Sequence, residues 1–111
     1  MTTIFGKIIN RELEADIVYE DEHVIAIKDI NPAAPVHLLI IPKKEIPRIQ
    51  EMGEHDLYLL GHVVQVAQKL AKEYNIEEGY RLLTNNGPDA GQTIFHLHFH
   101  LLGGRRLGVL G

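Results

Sequence analysis

The sequence contains no cysteine. That excludes a disulfide framework and a thiolate metal site, and makes an intracellular, cytoplasmic setting the default expectation. It also lacks any apolar run approaching the roughly 18–20 residues that span a bilayer, and no signal-peptide pattern opens it, so no membrane association is expected. Charge of one sign is not concentrated anywhere: the net charge is −4 and there is no basic block, which argues against an extended nucleic-acid groove. A chain of this charge can still bind one small phosphate through oriented backbone N–H groups and histidines. The last stretch lacks something else, since no Asp or Glu lies between Ala90 and Gly111.

What remains is the composition of an ordinary globular protein, 45% apolar and 23% charged. At 111 residues a single domain spanning 1–111 is expected, with one core and room for a partner surface. Thr2-Thr3 before IFGKIIN read as the cap of a short helix with Ile4, Ile8 and Phe5 on one face. Ala15–Glu20 and His23–Asp29, rich in β-branched residues and separated by Asp21-Glu22, read as a hairpin. Asn31–Pro35, fixed by two prolines, is a loop. His37–Ile41 is a continuous apolar run suited to a central strand, and Pro42 stops it.

Glu54–Asn75 is the longest helical pattern. Leu60, Val63, Val64, Ala67, Leu70, Ala71 and Tyr74 recur at the spacing of one buried face, widened by Leu59 and Val66. A stripe that wide suggests a dimer contact through this helix. Tyr80–Thr84 is a further strand, and Asn85–Gly91 a turn whose glycines and asparagines permit positive φ. Arg105–Gly111 is a glycine-rich tail expected to be mobile. The fold class expected is α+β: a five-stranded, mainly antiparallel sheet with one long helix and a short N-terminal helix.

The chemistry concentrates in Gln92–Gly104, QTIFHLHFHLLGG. Read as one strand, it places His96, His98 and His100 on one face and Leu97, Phe99 and Leu101 on the other. Imidazole is the side chain that acts as base, nucleophile or metal ligand near neutrality. A zinc site would draw on the same histidines but normally adds a carboxylate, and only distant ones such as Asp29 or Glu45 could fold back. Nucleophilic attack at phosphorus uses more of the surroundings: an imidazole attacks, and donors such as Gln92, Thr93, Asn85 and His100 steady the developing charge. The second reading is preferred, with no metal and no cofactor. His23, His55 and His62 read as surface residues.

HLHFHLL is the His-x-His-x-His-x-x pattern of the histidine-triad (HIT) nucleotide-binding proteins, and the resemblance extends over Ile4–Gly104 to their Hint branch. It is carried also by IFGKIINRELEADIVYEDEHVIAIKDINPAAPVHLLIIPKKEI and by GYRLLTNNGPDAGQTIFHLHFHLLGG. The resemblance implies a homodimer whose two sheets join across the interface. It further implies binding of purine nucleotides such as AMP and GMP, and hydrolysis of nucleoside 5′-phosphoramidates and aminoacyl-adenylates. His98 would be the nucleophile, flanked by His96 and His100 and supported by His37. Asn85, Gly91, Gln92, Thr93 and His100 would contact the phosphate, Asp29 the ribose, and Phe5, Ile8, Ile27 and Ile30 the base.

Two stretches depart from the animal pattern. Glu45 stands where many relatives have a histidine, and the tail RRLGVLG lacks the tryptophan-proline ending. Within the wider family the resemblance leaves two alternatives: a dinucleoside polyphosphate hydrolase, or a nucleotide-binding module with incidental hydrolysis. The transferase branch replaces the last histidine of the triad, and His100 argues against it.

Overall fold

Two prolines and a run of β-branched residues set the middle of the sheet, and everything else packs on its two faces. The computed structural model describes residues 3–111; Thr2 lies outside the described residues. The strands are β1 (Ile17–Glu20), β2 (Val24–Lys28), β3 (Val36–Pro42), β4 (Tyr80–Leu83) and β5 (Phe99–Gly103), and the helices α1 (Ile4–Ile9) and α2 (Tyr58–Glu73). They form one five-stranded sheet in the order β1-β2-β3-β5-β4, with every neighbouring pair antiparallel. The expected α+β fold is the observed one.

β3 is central and buried from His37 to Pro42, as its unbroken apolar run requires. Strand alternation then sorts side chains between the faces. Val24, Ala26, Leu38, Ile40, Leu97, Phe99 and Leu101 pack with Leu59, Val63, Val66, Ala67, Leu70 and Ala71 of α2 in the larger core. On the opposite face Ile25, Ile27, Leu39 and Ile41 pack with Phe5 and Ile8 of α1. The β1–β2 turn is held by Asp21, whose Oδ1 accepts the N–H groups of His23 and Val24 at 2.8 and 2.9 Å.

Three expectations need correction. Thr3 does cap α1, its hydroxyl accepting the Gly6 N–H at 3.0 Å, but the helix buries Phe5 and Ile8 while Ile4 is 53% exposed. Positions 5 and 8 lie one turn apart, and Ile4 belongs to the neighbouring solvent stripe. On α2, Val64 is exposed and the buried stripe runs through Leu59, Val63, Val66, Ala67, Leu70 and Ala71. The helix begins at Tyr58, after a single 3-10 turn at Glu54–Asp56.

The third correction concerns Gln92–Gly104: only Phe99–Gly103 is a ladder strand. The β3–β5 pairing ends at Ile40 opposite Phe99, because the next turns of the ladder meet Pro42, which has no N–H to give. The β4–β5 pairing likewise ends at Leu83 opposite His100. Beyond these points the chain is satisfied differently. Thr84 Oγ1 donates to the His98 carbonyl at 2.7 Å, and Leu97 N–H donates to the Ile46 carbonyl at 2.7 Å.

Candidate active site

The site lies on the α1 face, where the end of β2 and the strands β3 and β5 converge. Register pairs Leu39 with His100 and His37 with Leu102, so His37 and His100 are diagonal neighbours on one face. Their rings are 5.2 Å apart, with His37 Nε2 2.9 Å from His100 Nδ1. Asp29 follows β2 and donates its N–H to the His37 carbonyl at 3.0 Å. Its Oδ2 thereby stands 3.4 Å from His37 Nε2, while Oδ1 accepts the Asn31 N–H at 2.8 Å.

These contacts fix where the protons sit. The Ala33 backbone N–H donates to His37 Nδ1 at 3.0 Å, so that nitrogen is bare and the proton of neutral His37 is on Nε2. His37 Nε2–H then donates to His100 Nδ1, which leaves the proton of His100 on Nε2. His98 Nδ1 is 2.7 Å from the His96 carbonyl; a carbonyl only accepts, so Nδ1 carries the proton and His98 Nε2 keeps a free lone pair. His96 is fully buried and donates from Nε2 to the Pro42 carbonyl at 2.7 Å. Its Nδ1 has no partner among the described residues.

Burial favours the neutral form of His37, His98 and His100. Burial pushes the His98 imidazole below its ordinary 6.5 against the pull of the His96 carbonyl and Asp29. Burial, helped by His98 and His37, brings His100 down to about 4. His37 is lowered by burial and raised by Asp29, with burial prevailing. An uncharged His98 with a bare Nε2 can act as a nucleophile, and an uncharged His100 with Nε2–H can donate to an oxyanion.

Both rings open on a cavity of about 430 Å³. Phe5 and Ile8 from α1, Ile27 from β2 and the exposed Ile30 line it, as do Asp29 and Thr93. Phe5 meets His98 edge-on at 4.8 Å. Leu39 and Ile94 also form its walls, and Leu13, Glu14, Ala15 and Asp16 its rim, with Lys28 paired to Asp16 at 3.6 Å. Sequence reasoning missed these residues. Leu39 was accessible, because it alternates with His37 on the same strand, whereas the rim reflects the path of the chain after α1 and has no local signal.

Asn85, Gly91 and Gln92 do not line the cavity. Gln92 is buried and its amide is engaged throughout: Oε1 accepts the Gly87 N–H at 2.8 Å, and Nε2 donates to the carbonyls of Pro47 and Ile94 at 2.9 and 3.0 Å. It fastens the loop before the histidines to the segment after β3. Gly87 and Gly91 have φ of +87° and +96°, a conformation in which a side chain is strained. Asn85 is half-buried beside Gly91.

The carboxylate missing from the local sequence does fold back. Asp29, His37 and His100 bring one ligand atom each to within 4.8 Å of one another. A cation there would need the Nε2 lone pair of His37, which forces the proton onto Nδ1. Nδ1 already faces the Ala33 N–H, so two donors would oppose each other. The donor set therefore suits a hydrogen-bonded relay better than a metal.

The other histidines are partly engaged too. His62 on α2 donates from Nε2 to Asp21 Oδ2 at 2.6 Å, and Tyr19 donates its hydroxyl to the same oxygen at 2.7 Å. His23 packs edge-on against His62 at 5.2 Å. His55 is exposed.

The HIT domain family model matches residues 10–107, and the chain belongs to that family. An uncharacterized HIT-like protein of Chlamydia muridarum is 54% identical over 110 residues, covering 99% of this chain and 87% of that protein. A HIT family hydrolase from Clostridium thermocellum superposes with a TM-score of 0.94 at 55% identity, over 98% of this chain and 96% of that one. A histidine triad nucleotide-binding protein from Candida albicans superposes with a TM-score of 0.83 at 31% identity, over 99% and 84%.

Proposed function

We propose that the protein is a purine nucleoside 5′-phosphoramidate hydrolase of the Hint branch, working through a nucleotidyl-histidine intermediate on His98. The observation that carries this reading is the proton placement at His98. Nδ1 is tied to the His96 carbonyl at 2.7 Å, and Nε2 is bare in a cavity of about 430 Å³. The relatives support the reading: the solved neighbour from Clostridium thermocellum is a HIT family hydrolase, and that from Candida albicans a histidine triad nucleotide-binding protein.

In this reading Phe5, Ile8, Ile27 and Ile30 receive the base, and Asp29 the ribose. His98 Nε2 bonds to the α-phosphorus as the P–N bond breaks, and water then opens the phospho-imidazolium to release the nucleoside monophosphate. His100 Nε2–H and Thr93 face the phosphoryl oxygens, while Gln92, Gly91 and Asn85 shape the loop beside them. The protein acts as a homodimer in the cytoplasm, with the sheets of two copies joined.

The test is intact-mass spectrometry after rapid quench with adenosine 5′-phosphoramidate, on wild type and His98→Ala. An adenylyl adduct on the wild type and none on the variant is the expected result. Undiminished turnover by His98→Ala would overturn the assignment.

A further inference from the structure

Asp29 makes a contact that recognition of a ribose does not require. Its Oδ2 stands 3.4 Å from His37 Nε2, and its Oδ1 is anchored on the Asn31 N–H at 2.8 Å, so the carboxylate is held against the histidine pair. At rest the pair does not need it, because His37 Nε2–H already has an acceptor in His100 Nδ1 at 2.9 Å. The need arises when His100 takes a second proton. That proton must sit on Nδ1, where it would oppose His37 Nε2–H. His37 cannot escape by changing tautomer, since Ala33 N–H occupies its Nδ1. One of the two N–H groups has to turn to another acceptor.

We propose that Asp29 is a positioning residue for general-acid chemistry: its carboxylate is the alternative acceptor that lets the His37–His100 pair hold a proton and deliver it from His100 Nε2 to the leaving nitrogen. This rests on the phosphoramidate reading above. Among the described residues Asp29 is the one carboxylate grouped with His37 and His100; Glu14 and Asp16 stand on the rim of the same cavity. From α1 only apolar side chains face the cavity, Ile4, Phe5 and Ile8, Lys28 at the end of β2 is directed to Asp16 at 3.6 Å, and His98 is committed to the His96 carbonyl. The ligand atoms of Asp29, His37 and His100 all lie within 4.8 Å of one another, so both N–H groups have the carboxylate within a small movement.

The proton cycle closes. The cycle runs through the charged form of His100, a minority species near neutrality because burial lowers the ring while the Asp29 charge favours its proton; in that form His100 carries N–H on both nitrogens. As His98 Nε2 bonds to phosphorus, the electron pair of the P–N bond goes to nitrogen, which takes the His100 Nε2 proton and departs as an amine. His100 is left with Nδ1–H turned to Asp29 and a bare Nε2. Water then attacks phosphorus and gives its proton to that Nε2. The bond from His98 to phosphorus breaks, and its electron pair returns to His98. One water is consumed and the pair ends as it began.

The experiment compares wild type and Asp29→Asn on two 2′,3′-dideoxyadenosine 5′-phosphoryl substrates, one losing an alkylamine and the other p-nitrophenolate. The missing hydroxyls remove the ribose contact from the comparison. Asparagine keeps an oxygen for the Asn31 N–H, so the turn is preserved. An amine must be protonated to leave and p-nitrophenolate need not be, so the expected loss in kcat is about tenfold or more for the amine and about threefold or less for the phenolate. Equal losses on both substrates, or no loss on the amine, would overturn the proposal and leave Asp29 a structural or ribose-binding residue. A wild type that turns over the ester but not the amine would also overturn it. A wild type that turns over neither removes the phosphoramidate reading, and the proposal with it.

Discussion

His96 and His98 are two residues apart, yet substituting them should have opposite consequences. His96 is fully buried and supplies the donor for the Pro42 carbonyl; His96→Ala leaves a cavity and an unsatisfied acceptor and should cost about 2–4 kcal/mol in urea unfolding. His98 is half-buried at the cavity floor, and His98→Ala should stay within about 1 kcal/mol of wild type while abolishing the adduct. The pH dependence follows from the same rings. With the p-nitrophenyl ester, which needs no acid, kcat/KM should hold level down through 6.5, the ordinary histidine value, and fall only below it, because burial lowers His98. Stability has the corresponding sign. An unfolded His100 binds a proton near 6.5 and the folded one only near about 4, so the unfolded state takes up more protons between those values. Folding stability should therefore drop as pH falls through that window, as thermal melts in matched buffers would record.

At the scale of elements, Asp21 ties the turn of the β1–β2 hairpin to α2, accepting from His62 of α2 and from Tyr19, His23 and Val24 of the hairpin itself. Burial alone would raise its carboxyl, but these donors outweigh burial and hold it well below the usual carboxylate range. Asp21→Ala should cost about 2–4 kcal/mol in denaturant unfolding, since it strands several donors at once. The depressed carboxyl contributes stability above its unfolded value of about 3.9 and loses it as pH falls below. Sequence patterns made the hairpin, the central strand and the long helix legible, because each follows a local period. They did not reveal that the histidine segment leaves the ladder before Phe99, since Pro42 and the end of β4 act from distant parts of the chain. Nor did they reveal Asp21 as an anchor, because His62 reaches it across forty-odd residues of sequence.

At the scale of the whole molecule, the sheet ends in two open strands, β1 and β4, and α2 carries the exposed Tyr58 and Val64, with the exposed Leu57 just before it. Under the proposed dimer, analytical ultracentrifugation should give twice the chain mass of 12.5 kDa. Val64→Glu should shift the population towards monomer, since a charge on an apolar contact is unfavourable; an unchanged sedimentation profile would place the contact elsewhere. The tail is held back on the body at two points, by Arg105 Nη2 donating to the Ala33 carbonyl and Arg81 Nη2 to the Gly108 carbonyl, both at 2.9 Å. The cavity's position was partly legible, because His37, Asp29 and the triad are recognisable types in order. Its rim at Leu13–Asp16 was not, since only the folded path of the chain brings it there.

The group that decides which nitrogen of His37 is bare belongs to the main chain, the Ala33 amide. A main-chain amide is present whatever residue occupies the position, with proline the one exception. Position 33 can therefore drift through most of the amino-acid alphabet without disturbing the protonation pattern. Ala33→Pro alone would erase it, leaving every histidine in place. The arrangement is written in the path of the chain, where a comparison of side chains would pass over it.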